Sequence, residues 1–315
     1  MLPRHLALMI VVNLVWGLNL IAGKIGVDHI PPVMLAALRF ALLMIVLAPF
    51  LRWQKGQMPL LVTVCVTMGA LHFALIWGGL ASADNVAGMA VAIQLAVPFA
   101  TILSIVLLGE SVAWRRWIGM LLAFAGVVVI AFDPAIIGQP LGLALVTAGA
   151  FVGALGVIGM KRLHGIGVMA MQAWLAVIST PILLAVSWLI EANQLDAVRA
   201  APPIVWAALL FSSLGASLFG HGSMYYLIQR YDVSLLAPFN LLATIFAVIA
   251  AVMFLGEPLT WRVLTGGSIT LLGVFIIAQR QAVRAPGLPV TLAAAAPTVA
   301  AETGAYGGDS GPRRG

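Results

Sequence analysis

GESVAWRRWIGMLLAFAGVVVIAF, from Gly109 to Phe132, returns 147 residues later as GEPLTWRVLTGGSITLLGVFIIAQ, from Gly256 to Gln279. Gly109, Glu110, Trp114, Arg115, Gly119 and Gly126 meet Gly256, Glu257, Trp261, Arg262, Gly266 and Gly273. Val127, Ile130 and Ala131 meet Val274, Ile277 and Ala278, which makes nine identities in 24 positions. Apolar composition alone does not produce that agreement, because a Trp and a Glu recur in register. Each copy has a polar junction followed by an apolar run, so each marks the passage from one membrane span to the next.

Apolar runs of spanning length, about 20 residues, extend in both directions from these junctions. They fall near 6–24, 32–51, 60–82, 86–108, 116–132, 138–160, 168–190, 204–228, 234–255 and 261–279. Composition agrees: 63% of the 315 residues are hydrophobic, 8% are charged and the mean hydropathy is +1.11. Soluble domains carry about 25% charged residues, so a soluble enzyme, a secreted domain and a nucleic-acid binder are excluded. The net charge of +6 is scattered singly or in pairs between apolar runs rather than gathered in a basic stripe. The apolar stretch after Arg4 has no small-residue cleavage site and reads as the first span. Cys65, the single cysteine, reads as a small buried hydrophobe.

The quoted junctions are therefore the fourth-to-fifth and the ninth-to-tenth. Each half holds five spans, and an odd number inverts the second half relative to the first. The expected fold class is an all-α membrane protein of ten transmembrane helices in two inverted five-helix repeats, residues 1–133 and 134–280. Residues 281–315, rich in Ala, Gly and Pro, form a disordered cytoplasmic tail. Lys and Arg favour cytoplasmic loops. With the N-terminus inside, Arg4, Arg52, Lys55, Arg115, Arg116, Lys161, Arg162, Arg230, Arg280, Arg284, Arg313 and Arg314 lie inside, against Lys24, Arg199 and Arg262 outside. Twelve against three places both termini in the cytoplasm. Inverted repeats are a recurring architecture of secondary transporters, with substrate held near the midplane.

Ten spans, two halves and these junctions resemble the EamA family of the drug/metabolite transporter superfamily, over about residues 6–279. The opening WGLNLIAGKIGVDHIPPVMLAALRF, Trp16–Phe40, is similar to that of the exporters of O-acetylserine and cysteine within it. The stretch from Met224 through Glu257, with Arg230, an Ala-Pro and a Leu-Gly-Glu, also resembles the family. The resemblance implies export of small amino-acid-like metabolites across the bacterial inner membrane, with the lipid bilayer and a small molecule as partners and no cofactor.

Polar groups within apolar spans usually face a cavity or another helix. On the first span Trp16 and Lys24 share an arc with Asn13, Gly17 and Gly23, and Asn19 lies beside it. Cavity wall, glycine packing and snorkelling of Lys24 are all open readings. Arg39 sits deep for an interfacial residue. It could hold a substrate carboxylate, be neutralised by backbone carbonyls at a neighbouring helix end, or reach the outer interface; the resemblance implies an Arg here across substrate classes, which favours a structural role. Ser213, Ser217, His221 and Tyr225 form one i, i+4 stripe on the eighth span. Gln94 shares a face with Pro98 and Thr101, and Asn240 stands above Thr244. His72 is a lone polar residue of the third span, for which a satisfied packing role is the commoner outcome. Glu110 and Glu257 are expected to bind backbone amides at a helix start or to pair with Arg115 and Arg262. Gly149, Gly153 and Gly156 read as close-packing residues.

No Asp or Glu falls at the middle of a span, which disfavours a proton antiporter built on a midplane carboxylate unless a histidine carries the proton. No phosphate loop, HExxH or GxSxG is present. The rival readings are a drug, sugar, nucleoside or quaternary-ammonium exporter of the same fold, a passive channel, and an intramembrane enzyme using Ser217 and His221.

Overall fold

The computed structural model describes residues 2–109, 114–133, 140–228 and 237–281. Glu110, Arg230 and the tail beyond residue 281 lie outside the described residues, as does the side chain of Tyr225. The main helices in chain order are α1 (Pro3–Val27), α2 (Pro32–Phe50), α3 (Met58–Ala81), α4 (Val86–Leu107), α5 (Trp114–Ala131), α6 (Pro140–Lys161), α7 (Val168–Ile190), α8 (Pro203–Met224), α9 (Leu241–Leu255) and α10 (Trp261–Gln281). Seven are long and apolar enough to cross a membrane, while α5, α9 and α10 have shorter apolar stretches. No strand occurs among the described residues. The outer surface is apolar, with Leu189, Met253 and Ile45 more than two-thirds exposed. That surface suits a hydrocarbon solvent.

Local chemistry sets the helix ends. Pro3, Pro32, Pro59 and Pro203 stand in the first two positions of α1, α2, α3 and α8, where a missing N–H costs nothing. Gly109 and Gly256, which open the two repeat copies, end α4 and α9 in the left-handed region at φ 67° and 66°. Only glycine enters that region without steric cost. Pro98 clashes with the carbonyl four residues back, and α4 is interrupted at Gln94–Leu95. α3 and α8 each contain a π-helical stretch, Val66–Leu71 and Phe211–His221, the first just before His72 and the second ending on His221.

Glycines bring the helices together. Along α5 and α10, a Cβ on Gly119 would strike the Gly273 carbonyl, and one on Gly126 would strike the Gly266 carbonyl. Thr270 Oγ1 donates to the Ala123 carbonyl between them, at 3.4 Å. The rising and falling numbers make this pair antiparallel. On α6, Gly142, Gly149, Gly153 and Gly156 face Gly79, Ile76, His72 and Met68 of α3 in the same antiparallel sense. The three glycines expected to pack closely do so. Gly17 of α1 lies against Ala243, Phe246 and Ala247 of α9, and α2 packs on α7.

Three carboxylates fasten one end of the bundle, where α2, α4 and α10 begin. Glu191, just past α7, accepts the Val33 and Met34 amides at 2.7 and 3.0 Å and the Ser187 hydroxyl at 2.6 Å. Glu257, just past α9, accepts the Val86 and Ala87 amides at 2.6 and 3.0 Å. Asp133, past α5, accepts the hydroxyl of Thr260, which in turn accepts the Val263 amide. Glu257 thus binds amides at a helix start, while Arg262 lies over the Trp261 ring at 4.9 Å.

Candidate functional site

Two cavities meet in the middle of the bundle. One, of about 360 Å³, lies among α2, α3, α7 and α8 and extends toward the end of α6. The other, of about 290 Å³, lies among α1, α4, α8 and α9. Arg39, His72, Phe73 and His221 line both and form the layer between them.

Arg39 is 3% exposed. Its Nη2 donates to Ser217 Oγ at 2.6 Å, and its Nε and Nη1 have no partner. The helix-end carbonyls expected to neutralise it are not supplied to these two nitrogens. Aromatic faces surround the guanidinium instead, with the ring centres of Phe73, Trp77 and Phe40 at 4.3, 5.5 and 5.8 Å from Cζ. Cation–π contacts compensate part of the lost hydration. Among the described residues, no Asp or Glu lines either cavity. The site therefore combines a fixed cation, two unused donors and no counter-anion.

The histidines are held differently. His72 Nδ1 lies 2.8 Å from the Gly149 carbonyl. A carbonyl only accepts, so Nδ1 carries the proton and Nε2 is left as an acceptor. His221 remains exposed beside the cavities, and its ring centre lies 5.3 Å from that of Trp16. Trp16 Nε1 donates to the Ala216 carbonyl at 3.1 Å, inside the π-helical stretch of α8. The wider turn of a π-helix leaves such backbone oxygens accessible, and it recurs at functional sites.

Six of the ten residues singled out in the sequence lie around the smaller cavity or the shared layer: Trp16, Asn19, Arg39, His72, Gln94 and His221. Asn19 Oδ1 is buried with no partner. Ser217 joins at the larger cavity. Lys24 does not line either one and pairs with Asp28 at 2.7 Å. Asn240 is exposed in a short 3-10 turn before α9, while Thr244 below it does line the smaller cavity. Tyr225 lies one turn beyond His221, in the helical segment Gly222–Ile228 that continues α8, with its side chain outside the described set.

Several lining residues had not been singled out. Gln172, on α7, donates from Nε2 to the Ser217 carbonyl at 3.1 Å and lines the larger cavity. Its signal was available, since a lone amide in an apolar span needs a partner. Met68, Met160, Met171 and Met224 line the same cavity. Nothing in hydropathy separates a cavity methionine from a core one.

The family model described as the EamA-like transporter family matches the chain twice, over residues 4–132 and 140–279. A probable amino-acid metabolite efflux pump of Escherichia coli K12 is 30% identical over 281 residues, covering 86% of this chain and 93% of that protein. The protein of the same description from Salmonella typhimurium is 29% identical over 280 residues, with 86% and 93% covered. A solved crystal structure superposes with a TM-score of 0.59 at 17% identity, covering 89% of this chain and 99% of the other. At that identity the likeness is one of fold.

Proposed function

Because this chain belongs to the EamA-like transporter family and is a multi-pass protein of the bacterial inner membrane, we propose that it exports small amino-acid-like metabolites as an alternating-access carrier. The observation that carries this reading is the pair of cavities sharing one polar layer. A solute at Arg39, His72 and His221 is within reach of either cavity, while a continuous pore would need no such layer. Cavity candidates for the solute are Trp16, Asn19, Arg39, His72, Gln94, Ser217 and His221. Lys24, Tyr225 and Asn240 complete the set proposed from sequence, with Lys24 and Asn240 set apart from the cavities.

In the proposed architecture ten spans form two inverted five-helix repeats, residues 1–133 and 134–280, with both termini cytoplasmic and 281–315 a tail. Two features support it. Gly119 and Gly126 correspond to Gly266 and Gly273 at the 147-residue shift, and the pairs observed are Gly119 with Gly273 and Gly126 with Gly266. Repeat-equivalent residues exchange partners in this way only when a two-fold axis relates the two helices. Likewise α6 packs on α3 and α4 of the other half, and α1 packs on α8 and α9.

The relatives described as amino-acid metabolite efflux pumps support the cargo class. A quaternary-ammonium exporter would need an anion in the cavity lining, and the described lining residues include none. Ser217 is engaged with Arg39 and the Ser212 carbonyl, which counts against a Ser–His catalytic pair. The test is efflux from proteoliposomes preloaded with amino acids and derivatives, including cysteine and O-acetylserine, with and without a pH gradient. Saturable efflux with counterflow is expected. Linear efflux without counterflow would replace the carrier with a channel.

A further inference from the structure

Resting on the export reading above, and narrowing its cargo, we infer that the layer between the cavities selects solutes that carry one carboxylate, an apolar body and no free ammonium. N-acylated amino acids and 2-oxo or 2-hydroxy acids share this chemistry.

Charge at the layer gives the first reason. Arg39 is buried and carries two guanidinium nitrogens without partners, and among the described residues no carboxylate lines either cavity. An incoming carboxylate supplies the missing counter-charge and can accept from two nitrogens of the planar fork at once. An ammonium group brought to the same layer meets a like charge.

Aromatic faces give the second reason. A ring face can host an ammonium in place of an anion. Here Phe73, Trp77 and Phe40 already surround the guanidinium at 4.3 to 5.8 Å, each turning one face to the protein's own cation, and the remaining cavity ring, Trp16, lies against His221 with its Nε1 donated to the Ala216 carbonyl. The other polar groups of the lining include uncharged amides and hydroxyls, such as Asn19, Gln94, Gln172 and Thr244. Asn19 Oδ1, buried and without a partner beside the smaller cavity, can accept one amide N–H or hydroxyl. A neutral acceptor of this kind matches an acylated nitrogen, whereas an ammonium brings three donors and a charge. The four methionines of the larger cavity supply a deformable apolar wall for the rest of the solute.

The experiment uses the full chain in proteoliposomes and a series of one shape and four charges: N-acetylmethionine (anion), methionine (zwitterion), N-acetylmethioninamide (neutral) and methioninamide (cation). Counterflow of labelled N-acetylmethionine is read against each unlabelled competitor, and binding is read in parallel by tryptophan fluorescence. N-acetylmethionine is expected to compete at least tenfold better than methionine, with methioninamide weakest. Arg39→Gln is expected to weaken binding of the anion about ten- to hundredfold, the range for a charge-assisted hydrogen bond. It should also bring the four affinities together while the affinity for N-acetylmethioninamide holds.

Equal competition by methioninamide and N-acetylmethionine would overturn the inference using the wild-type chain alone, so the outcome does not depend on the folding of a variant. Retained anion preference in a monodisperse Arg39→Gln protein would overturn it as well. Counterflow of methionine with no response to the anion would remove this inference and leave the export reading standing. Neither counterflow nor a fluorescence response with any amino-acid derivative would remove both.

Discussion

Glu257→Ala tests whether the repeat's Gly-Glu motif fastens the two halves. The first backbone donors of α4 can be followed individually. Val86 and Ala87 donate to Glu257, Gly88 donates to Asn85 Oδ1, and Met89 makes the first bond of the helix proper, to the Asn85 carbonyl at 3.3 Å. Glu257 therefore satisfies two donors that have no other partner, and both belong to residues at most 2% exposed. Removing the carboxylate leaves two buried N–H groups, at about 1–3 kcal/mol each. It also removes an anion from a helix N-terminus, worth up to about 1 kcal/mol. The sum is about 2–7 kcal/mol. At about 2–4 °C per kcal/mol for chains approaching this size, the melting temperature in detergent should fall by roughly 10 °C. Glu257→Gln keeps one acceptor and should lose about half as much. Arg262→Ala serves as the control, because that guanidinium stacks on Trp261 at 4.9 Å, a contact worth about 0.5–1 kcal/mol. A Glu257→Ala protein melting within 1 °C of the parent, or an Arg262→Ala loss as large, would refute the cap.

Gly126→Val should be among the most damaging single changes in the α5–α10 seam, because its side chain would enter the space of the Gly266 carbonyl and Thr270. Overpacking of this kind costs about 1–3 kcal/mol or more, and the checks are membrane yield and melting temperature against Gly165→Val, where a Cβ meets nothing but the backbone sits at positive φ. Asn19→Ala and His221→Ala should each lower saturable efflux while membrane expression stays intact, as measured by transport per mole of reconstituted protein. Full activity in both would displace the solute site from this layer.

Periodicity and repetition made the helices legible, and the chemistry between them was legible only in part. Spans were readable because hydrocarbon demands about 20 apolar residues in a row, and no local packing detail changes that length. The Gly-Glu junction was readable because two copies constrained it. Its glycine ends a helix at positive φ and its second-copy glutamate caps another. Pairing of Lys24 with Asp28 was open to an i, i+4 reading. Asn240 was misphased for a simpler reason: it sits in a 3-10 turn, where the α-helical register used to stack it over Thr244 does not hold. The π-helical stretches of α3 and α8 leave no trace in hydropathy. Arg39 was the hardest residue to read. Whether a deep arginine meets carbonyls, a carboxylate or ring faces depends on which helices pack around it, and those contacts are long-range.

The fastened end of the bundle also bears on how the proposed carrier would rest. In an inverted repeat, each fastening at one end can have a counterpart at the other, formed when the first opens. Glu191 and Asp133 have no acidic counterparts. Residues 44–57, the end of α2 and the segment after it, contain no Asp or Glu and instead carry Arg52 and Lys55. The end of α10, from Ile277 to Arg284, likewise has arginines and no acid. Two of the three carboxylate contacts at the end where α2, α4 and α10 begin are therefore one-sided. Each hydrogen bond to a charged group contributes about 1.5–3 kcal/mol, and opening that end would forfeit several with no equivalent gained from these positions at the other. The two conformations of the carrier are then unequal in energy, and the form fastened at this end is the resting one. In the proposed topology that end is the outer one, and the resting cavity would then face the cytoplasm, which is the orientation an exporter needs to load its solute first. Transport then requires the solute itself to offset the loss of the fastenings, and a ligand can shift a conformational equilibrium only by its difference in affinity for the two forms.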